Sequence, residues 1–487
     1  MVNAEIRSII NQTSDVLDRE MKSYVVMNKY DELPDTLPSD IDIAVSDEDF
    51  TRLDQIVGVV GNRTGLVITQ KIWHNYKKCA YILTPLHVKE PFRLQLDFFA
   101  DFAVTSTPLL IRNEELMTRT RTYGRFTVPE YDLEFVFLFM RRIYKNDFDD
   151  EHCDILRNVL VVCPDRIENY CSQYFSHEVV NAVIFSLLNQ DYDTVREKRG
   201  ELWKQLRELF HRNSRGIYFV KYWADQLKRT FFRIKYPVGM KIAFLSPDGG
   251  GKSTIIQNVQ KTCWGSFHYM EVKYFRPHIL KNLGHYNVVN PSQEAKTNTD
   301  PHGVKPDGKI KSFVRFMFYN LDFMLGGLAD KKSAIKKKLT IYDRYYYDYY
   351  VDIQRYKYGF SKKIPHIFSF LISMPDMVFV LKASPDVLYA RKQESPLPEL
   401  ERQMEDYLHA AEKIKNAVVI NTEKPVKNIV DDITSKILLY KGKETAKAMK
   451  LTVDVKTGVA KINRGGKIYL CYNTVVTIPH RYLREVA

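Results

Sequence analysis

Apolar and polar positions follow four different rhythms along the 487 residues. In 1–130, short runs such as SYVVM, IDIAV and FRLQLDFFADF sit between helix-like stretches, which predicts an α+β domain. In 131–238 the period lengthens to that of helices, as in EYDLEFVFLFMRRIY and ELWKQLRELFHR, and Pro237 and Gly239 close the segment. In 239–442, KIAFL, LTIYD, MVFVLKA and AVVIN are continuous apolar runs separated by helical patterns. Strands that are apolar on both sides predict a parallel sheet covered by helices on each face. In 443–487, KLTVDVKTGVAKINRGGKIYLCYNTVVTI alternates with period two around Lys-Thr-Gly and Arg-Gly-Gly, the pattern of a small β-meander.

The junction of strand and helix in KIAFLSPDGGGKSTIIQNVQ carries the strongest chemical signal. Backbone N–H groups at a helix N-terminus meet a polyphosphate, and close approach requires that side chains be absent, as at Gly249, Gly250 and Gly251. Lys252 adds a point charge for the β- and γ-phosphates, and Ser253 or Thr254 a hydroxyl for Mg²⁺. The pattern G-x-x-x-x-G-K-[ST] departs at its first position, where Ser246 stands.

With Asp248-Gly-Gly-Gly-Lys252-Ser253-Thr254, with Asp343-Arg344-Tyr345 closing LTIYD, and with MVFVLKASPDVLYARKQE, the chain resembles the thymidylate kinase family of P-loop nucleotide kinases from Lys241 to about Tyr440. The resemblance implies an α/β P-loop NTPase fold, ATP and Mg²⁺ as cofactors, and commonly a homodimer. It implies that Asp343 holds Mg²⁺, that Arg344 reaches the acceptor or the transferred phosphoryl group, and that Asp248 hydrogen-bonds an acceptor hydroxyl. Arg276 in VKYFRPH is placed like an acceptor-side arginine, and Arg391, Lys392 and Arg402 flank a lid that closes on ATP. The long Gly-, Pro-, Asn- and Lys-rich stretch after Arg276 stands where an acceptor pocket would form, so the acceptor is left open between a nucleotide and a sugar. The tyrosines of YDRYYYDYYVDIQRYKYG read more readily as a partly buried amphipathic helix than as ligand contacts. With its DPHG and DRYYYD, this version of the module resembles ones associated with bacterial polysaccharide gene clusters.

A second constellation lies near the N-terminus. In LPSDIDIAVSD, Asp40 and Asp42 are two apart on a strand and share a face. Paired carboxylates are costly without a cation between them, and Asp97 on a neighbouring strand completes a metal-binding trio. The pattern resembles the polymerase-β-like nucleotidyltransferase superfamily. The glycines expected upstream are replaced by VVMNKYDELPDTLPSD, where Asn28 and Lys29 are the available substitutes, so live transfer and an idle retained fold both stay open.

Composition narrows the partners. A formal net charge of +13 favours anions such as nucleotides, phosphorylated glycans or a membrane surface, while no nucleic-acid motif is present. The scattered cysteines form no CxxC pair and fit a reducing compartment. MVNAEIRSIINQ lacks a signal-peptide pattern and no apolar run spans a bilayer, which predicts a cytoplasmic protein. HRNSRGIYFVKYWADQLKRTFFRIKYP interleaves basic and aromatic residues. It admits peripheral membrane contact, but reads more readily as a helix packing one domain on the next.

The expected enzyme is therefore a P-loop phosphotransferase that moves the γ-phosphoryl group of ATP to a small acceptor, with an appended nucleotidyltransferase-like domain. The alternatives are a nucleoside monophosphate kinase with an accessory domain, and a non-catalytic nucleotide-sensing or nucleic-acid-binding regulator.

Overall fold

The structure, a computed structural model, describes residues 2–86, 92–102, 110–213, 216–281, 308–454 and 469–471. The DPHG segment and most of the 443–487 tail therefore lie outside the described residues. Among the described residues packing forms two compact units: 1–83, 94–232 and those from 442 onward make up the first, 84–93 and 233–441 the second.

The first unit is built on a five-stranded sheet: β1 (Tyr24–Val26), β2 (Ile41–Val45), β3 (Val67–Asn75), β4 (Lys78–Thr84) and β5 (Leu94–Phe99), in the order β1-β2-β5-β4-β3. β2 and β5 run parallel, while β1–β2 and β4–β5 are antiparallel. The helical stretch does not stand apart from this sheet. Helix Tyr131–Lys145 is buried on nearly every side because its sequence is apolar nearly all round. Phe137 stacks on Phe99 of β5 at 5.8 Å and 7°, and one core runs from Val25 through this helix to Phe210. A sheet of this kind needs such a cover to hide its apolar face.

The second unit contains β6 (Met240–Leu245), β7 (Tyr269–Tyr274), β8 (Lys338–Asp343), β9 (Met377–Lys382) and β10 (Ala417–Asn421). All pairings are parallel, and the order is β10-β9-β6-β8-β7, so the first strand is central. Successive side chains feed opposite layers: Ile242 and Phe244 enter one core, Ala243 and Leu245 the other. This is the α/β architecture expected of the apolar runs. The chain leaves β6 and returns to a strand that is not its neighbour. In open parallel sheets, the crevice at the carboxyl ends of strands beside such a switch point is where ligands bind.

Two local expectations change. The tyrosine-rich segment is not an amphipathic helix; Tyr346–Tyr350 is a short 3-10 turn, with Tyr345, Tyr346, Tyr347 and Tyr349 all buried. The hydroxyls of two of them find partners inside, Tyr345 on the Ser373 carbonyl and Tyr346 on Asn320 and the Pro365 carbonyl. In the tail, the described strands Thr452–Asp454 and Tyr469–Cys471 pair parallel, so they are not the two arms of one tight hairpin of a meander.

The shared core makes a prediction about the first unit. Phe137→Ala removes the ring that joins the β5 face to the helices, and it should cost about 3–5 kcal/mol in urea unfolding. Loss of far-UV helix signal without loss of the sheet's packing would show that the helices fold separately.

Candidate functional site

The loop between β6 and helix Lys252–Thr262 turns through two glycines in the left-handed region, Gly249 at φ +80° and Gly251 at φ +81°. A Cβ on Gly249 would lie 2.3 Å from the Leu388 carbonyl oxygen, so the backbone of helix Pro385–Arg391 seals one side of the loop. The departure at Ser246 has a steric counterpart. Ser246 is fully buried, and a Cβ on Gly250 would fall 2.1 Å from its Oγ and 2.7 Å from its Cβ. A side chain at the first position of the loop therefore occupies the space that one at position 250 would need.

Lys252 is folded back into this loop. Its ammonium donates to the Ser246 carbonyl and Oγ, both at 3.1 Å, and to the Pro247 carbonyl at 3.2 Å. Burial, and next the charge of Arg344, push its pKa down from the ordinary 10.5 to about 8, against the pull of Asp343. The loop opens on a cleft of about 730 Å³, lined by all of Asp248–Ile255 together with Asp343, Arg344, Arg355, Arg391, Lys392 and Thr422 among others. That volume is of the size small-molecule sites have.

The acidic residues of the cleft differ sharply. Asp248 accepts from Arg344 at 2.7 Å and from Arg355. Burial would raise its pKa, but Arg344, Arg355 and Lys252 hold it well below the usual carboxylate range. An acceptor hydroxyl would have to share Asp248 with these two guanidinium groups. Asp343, at the end of β8, is raised by burial in spite of Lys252 and Arg344, and its Oδ1 is buried without a hydrogen-bond partner. An unpartnered anionic oxygen in a cleft that also exposes the Ser253 and Thr254 hydroxyls fits a hard divalent cation.

The arginines are placed less simply than expected. Arg344 lines the cleft, but its guanidinium is 2% exposed and committed to Asp248, to Asp348 at 2.9 Å and to the Tyr407 hydroxyl at 3.3 Å. It acts here as a positioning residue. Arg276 is not among the cleft residues; it is buried, donating to Asp322 at 2.6 Å and to the Leu280 carbonyl. Asp322 also accepts from the His278 and Leu280 N–H groups, so this pair folds the chain after β7. Arg391 and Lys392 do reach the cleft, Arg391 donating to the Thr422 carbonyl at 2.8 Å and Lys392 pairing with Glu394. Arg402 lies elsewhere, bound to Glu399 and Asp406 along its own helix. Arg355 is a cleft residue that the sequence motifs do not reveal. It sits in the short 3-10 helix Gln354–Tyr356, and its one local signal is the pairing with Asp352 three residues before it.

Comparison with known proteins adds little to this geometry. No family model matches the chain, and no curated protein matches it. Among solved structures, it is similar to a thymidylate kinase from Ehrlichia chaffeensis at 17% identity and a TM-score of 0.27. That match covers 42% of this chain and 100% of the other, and a similarity so distant carries no weight for function.

In the first unit, the structure brings Asp40, Asp42 and Asp97 together, with ligand oxygens within 4.8 Å of one another. Asp42 stands directly opposite Asp97 across β2 and β5. Protein cations already attend them. Arg141 donates to Asp42, and Lys78 lies 3.9 Å from Asp42 and 3.6 Å from Asp97. Burial pushes Asp42 up, but Arg141 and Lys78 win and lower it. Asp97 stays raised by burial, with the neighbouring Asp42 charge outweighed in part by Lys78. Of the two residues offered in place of the missing glycines, Asn28 helps to hold the Asp42 carboxyl down, and Lys29 takes a left-handed backbone at φ 54° with its ammonium 3.4 Å from Ser39.

The shared space at 246 and 250 can be tested directly. Gly250→Ala should destabilise the chain by about 1–3 kcal/mol, and adding Ser246→Gly should recover most of that loss in thermal unfolding. Equal loss in the single and double variants would refute the steric exchange.

Proposed function

We propose that the cleft above β6 binds a nucleoside triphosphate with Mg²⁺ and transfers its γ-phosphoryl group to a small acceptor, a nucleotide or a sugar. The observation that carries this reading is the position of Lys252. A buried ammonium bonded only to neutral oxygens of its own loop, with its pKa lowered, gains most when a polyanion replaces those partners.

In the proposed reaction, the N–H groups of Gly249–Ser253 and the N-terminus of their helix cradle the phosphates, and Lys252 leaves Ser246 to pair with the β- and γ-oxygens. Asp343 and the Ser253 hydroxyl would hold Mg²⁺, which when bound neutralises charge on the β- and γ-phosphates. Arg391 and Lys392 supply positive charge on the facing wall. An acceptor oxygen, a hydroxyl of a sugar or a phosphate oxygen of a nucleotide, bonds to the γ-phosphorus as the bond to the β–γ bridging oxygen breaks. ADP leaves, and any proton the acceptor oxygen carries passes to solvent or to a nearby carboxylate. Such a transfer depends mainly on position and charge neutralisation.

The first unit supports a narrower proposal. Its carboxylate trio has the spacing of a cation site, but Arg141 and Lys78 already neutralise two of its members, which favours a retained nucleotidyltransferase-like fold over live transfer.

The deciding experiment is ADP release with Mg²⁺ against a panel of nucleoside monophosphates and sugars, with Lys252→Ala as control. Acceptor-dependent release lost in the variant supports the kinase. A response to thymidylate alone makes it a nucleoside monophosphate kinase, and ATP binding without any acceptor-dependent release points to a switch. The pH dependence has a fixed sign. Because Lys252 is neutral above about pH 8 in the free protein, ATP affinity should fall above that point, by up to about tenfold per pH unit. Lys252→Arg, which stays protonated, should flatten this profile in calorimetric titration.

A further inference from the structure

The helix Ile217–Lys235 has two faces that the proposed phosphoryl transfer does not use. Its inner face packs on β3 of the first unit. Phe232 meets Trp73 at 5.4 Å and lies under Lys71, Arg229 donates to the His74 carbonyl at 3.0 Å, and Asp225 accepts from the backbone of Tyr76. These three residues recur at the spacing of one helical side. On the opposite side stand Phe219, Val220, Trp223, Leu227, Phe231 and Ile234, each 52–69% exposed. At about 1.5 Å rise per residue they form a stripe roughly 24 Å long. Monomeric soluble proteins rarely leave a contiguous apolar surface of this kind uncovered.

What covers it is indicated by charge. Lys221, Lys228 and Lys235 are exposed along one border of the stripe, and Arg233 lies beyond the other. The helix holds a single acid, Asp225, buried on the inner face, so the outer half of the helix carries no negative charge, and Thr230 is the exposed polar residue within the stripe. The cores of protein–protein interfaces are depleted in lysine. A Trp- and Phe-bearing stripe bordered by lysines instead matches a negatively charged bilayer surface, where rings enter the interfacial layer and ammonium groups reach the headgroups. The whole chain, at +13, is attracted to the same surface. Among the described residues no helix is long and apolar enough to cross a membrane, so this one would lie in the interface plane.

We propose that the outer face of helix Ile217–Lys235 docks this protein on anionic lipid bilayers. Packing on β3 within the first unit accounts for the inner face and leaves the outer one uncovered.

The test uses the full chain with vesicles of phosphatidylcholine alone or mixed with phosphatidylglycerol. Sedimentation with the mixed vesicles, much weaker with the neutral ones, is expected, with a blue shift in tryptophan emission that Trp223→Phe removes while binding persists. Leu227→Glu with Phe231→Glu should abolish sedimentation at unchanged far-UV circular dichroism, since both side chains are exposed and their loss leaves the fold intact. Lys228→Ala should weaken binding about fivefold, the equivalent of one basic residue near an anionic surface. Equal sedimentation with both vesicle types, or undiminished binding by the double variant, would overturn the proposal. So would a wild-type oligomer in sedimentation velocity that the double variant converts to monomer, because the stripe would then be an interface between copies.

Discussion

The cleft of the second unit is organised around one buried guanidinium. Arg344 follows the last residue of β8 with a left-handed backbone at φ 71°, a conformation that costs an ordinary residue roughly 1–2 kcal/mol. Its N–H donates to the Phe244 carbonyl at 2.9 Å, tying the end of β8 to β6. From there its side chain reaches Asp248 in the glycine loop on one side and Asp348 in the tyrosine turn on the other. Asp348 in turn accepts from the hydroxyls of Tyr356 and Tyr407. A charge this deep is tolerable only because each of its partners is itself fixed and hydrogen-bonded. Removing either carboxylate would leave a buried cation short of a partner, so the loop, the strand end and the tyrosine turn hold their positions together.

This arrangement explains the density of aromatic residues around it. Phe275 stacks on Tyr356 with ring centroids 3.8 Å apart, and Tyr349 packs edge-on to both Phe275 and Phe316. The rings exclude water from the Arg344–Asp348 pair while their hydroxyls supply the hydrogen bonds that water would have given. Tyrosine suits that double task better than phenylalanine or a polar residue. Tyr349 and Tyr356 therefore support the cleft from behind its surface, while Tyr347 and Tyr350 of the same segment line a separate cavity.

Much of this architecture was legible in the sequence. The parallel strands were visible because burial on both faces forces continuous apolar runs, and the glycine loop because three glycines between a strand and a helix mark a turn with little room for side chains. Asp40, Asp42 and Asp97 were legible through period two and strand adjacency. What escaped were pairings across long separations. Arg276 finds Asp322 and Arg355 finds Asp248 through folding alone, and a motif that places an arginine near a cleft says nothing about which acid claims it first. The exchange between Ser246 and Gly250 was hidden for a similar reason, since it depends on two backbone positions four apart being pressed together by a tight turn. The helical stretch read as a region of its own because periodicity reports a face to be buried and not what buries it.

The two acidic clusters differ in the protein cations around them, although each holds a buried carboxylate oxygen without a hydrogen bond, Asp343 Oδ1 in one and Asp42 Oδ1 in the other. In the first unit, Asp42 and Asp97 share Lys78, and Asp42 holds Arg141 as well. A divalent ion entering there would have to dislodge Lys78 or bring two more positive charges beside it, and the gain from its ligands would be reduced by that repulsion. Asp343 has no such occupant. Its neighbours Lys252 and Arg344 are positive but already committed, one to neutral loop oxygens and the other to Asp248 and Asp348, and its own Oδ1 is left buried and unsatisfied. Phosphate oxygens that draw Lys252 out of its loop would arrive with negative charge of their own, and a divalent cation shared with Asp343 is the simplest way to keep that charge balanced. In the proposed reaction, nucleotide and cation binding at this cleft would therefore favour each other, whereas in the first unit two of the three carboxylates are already paired with protein cations.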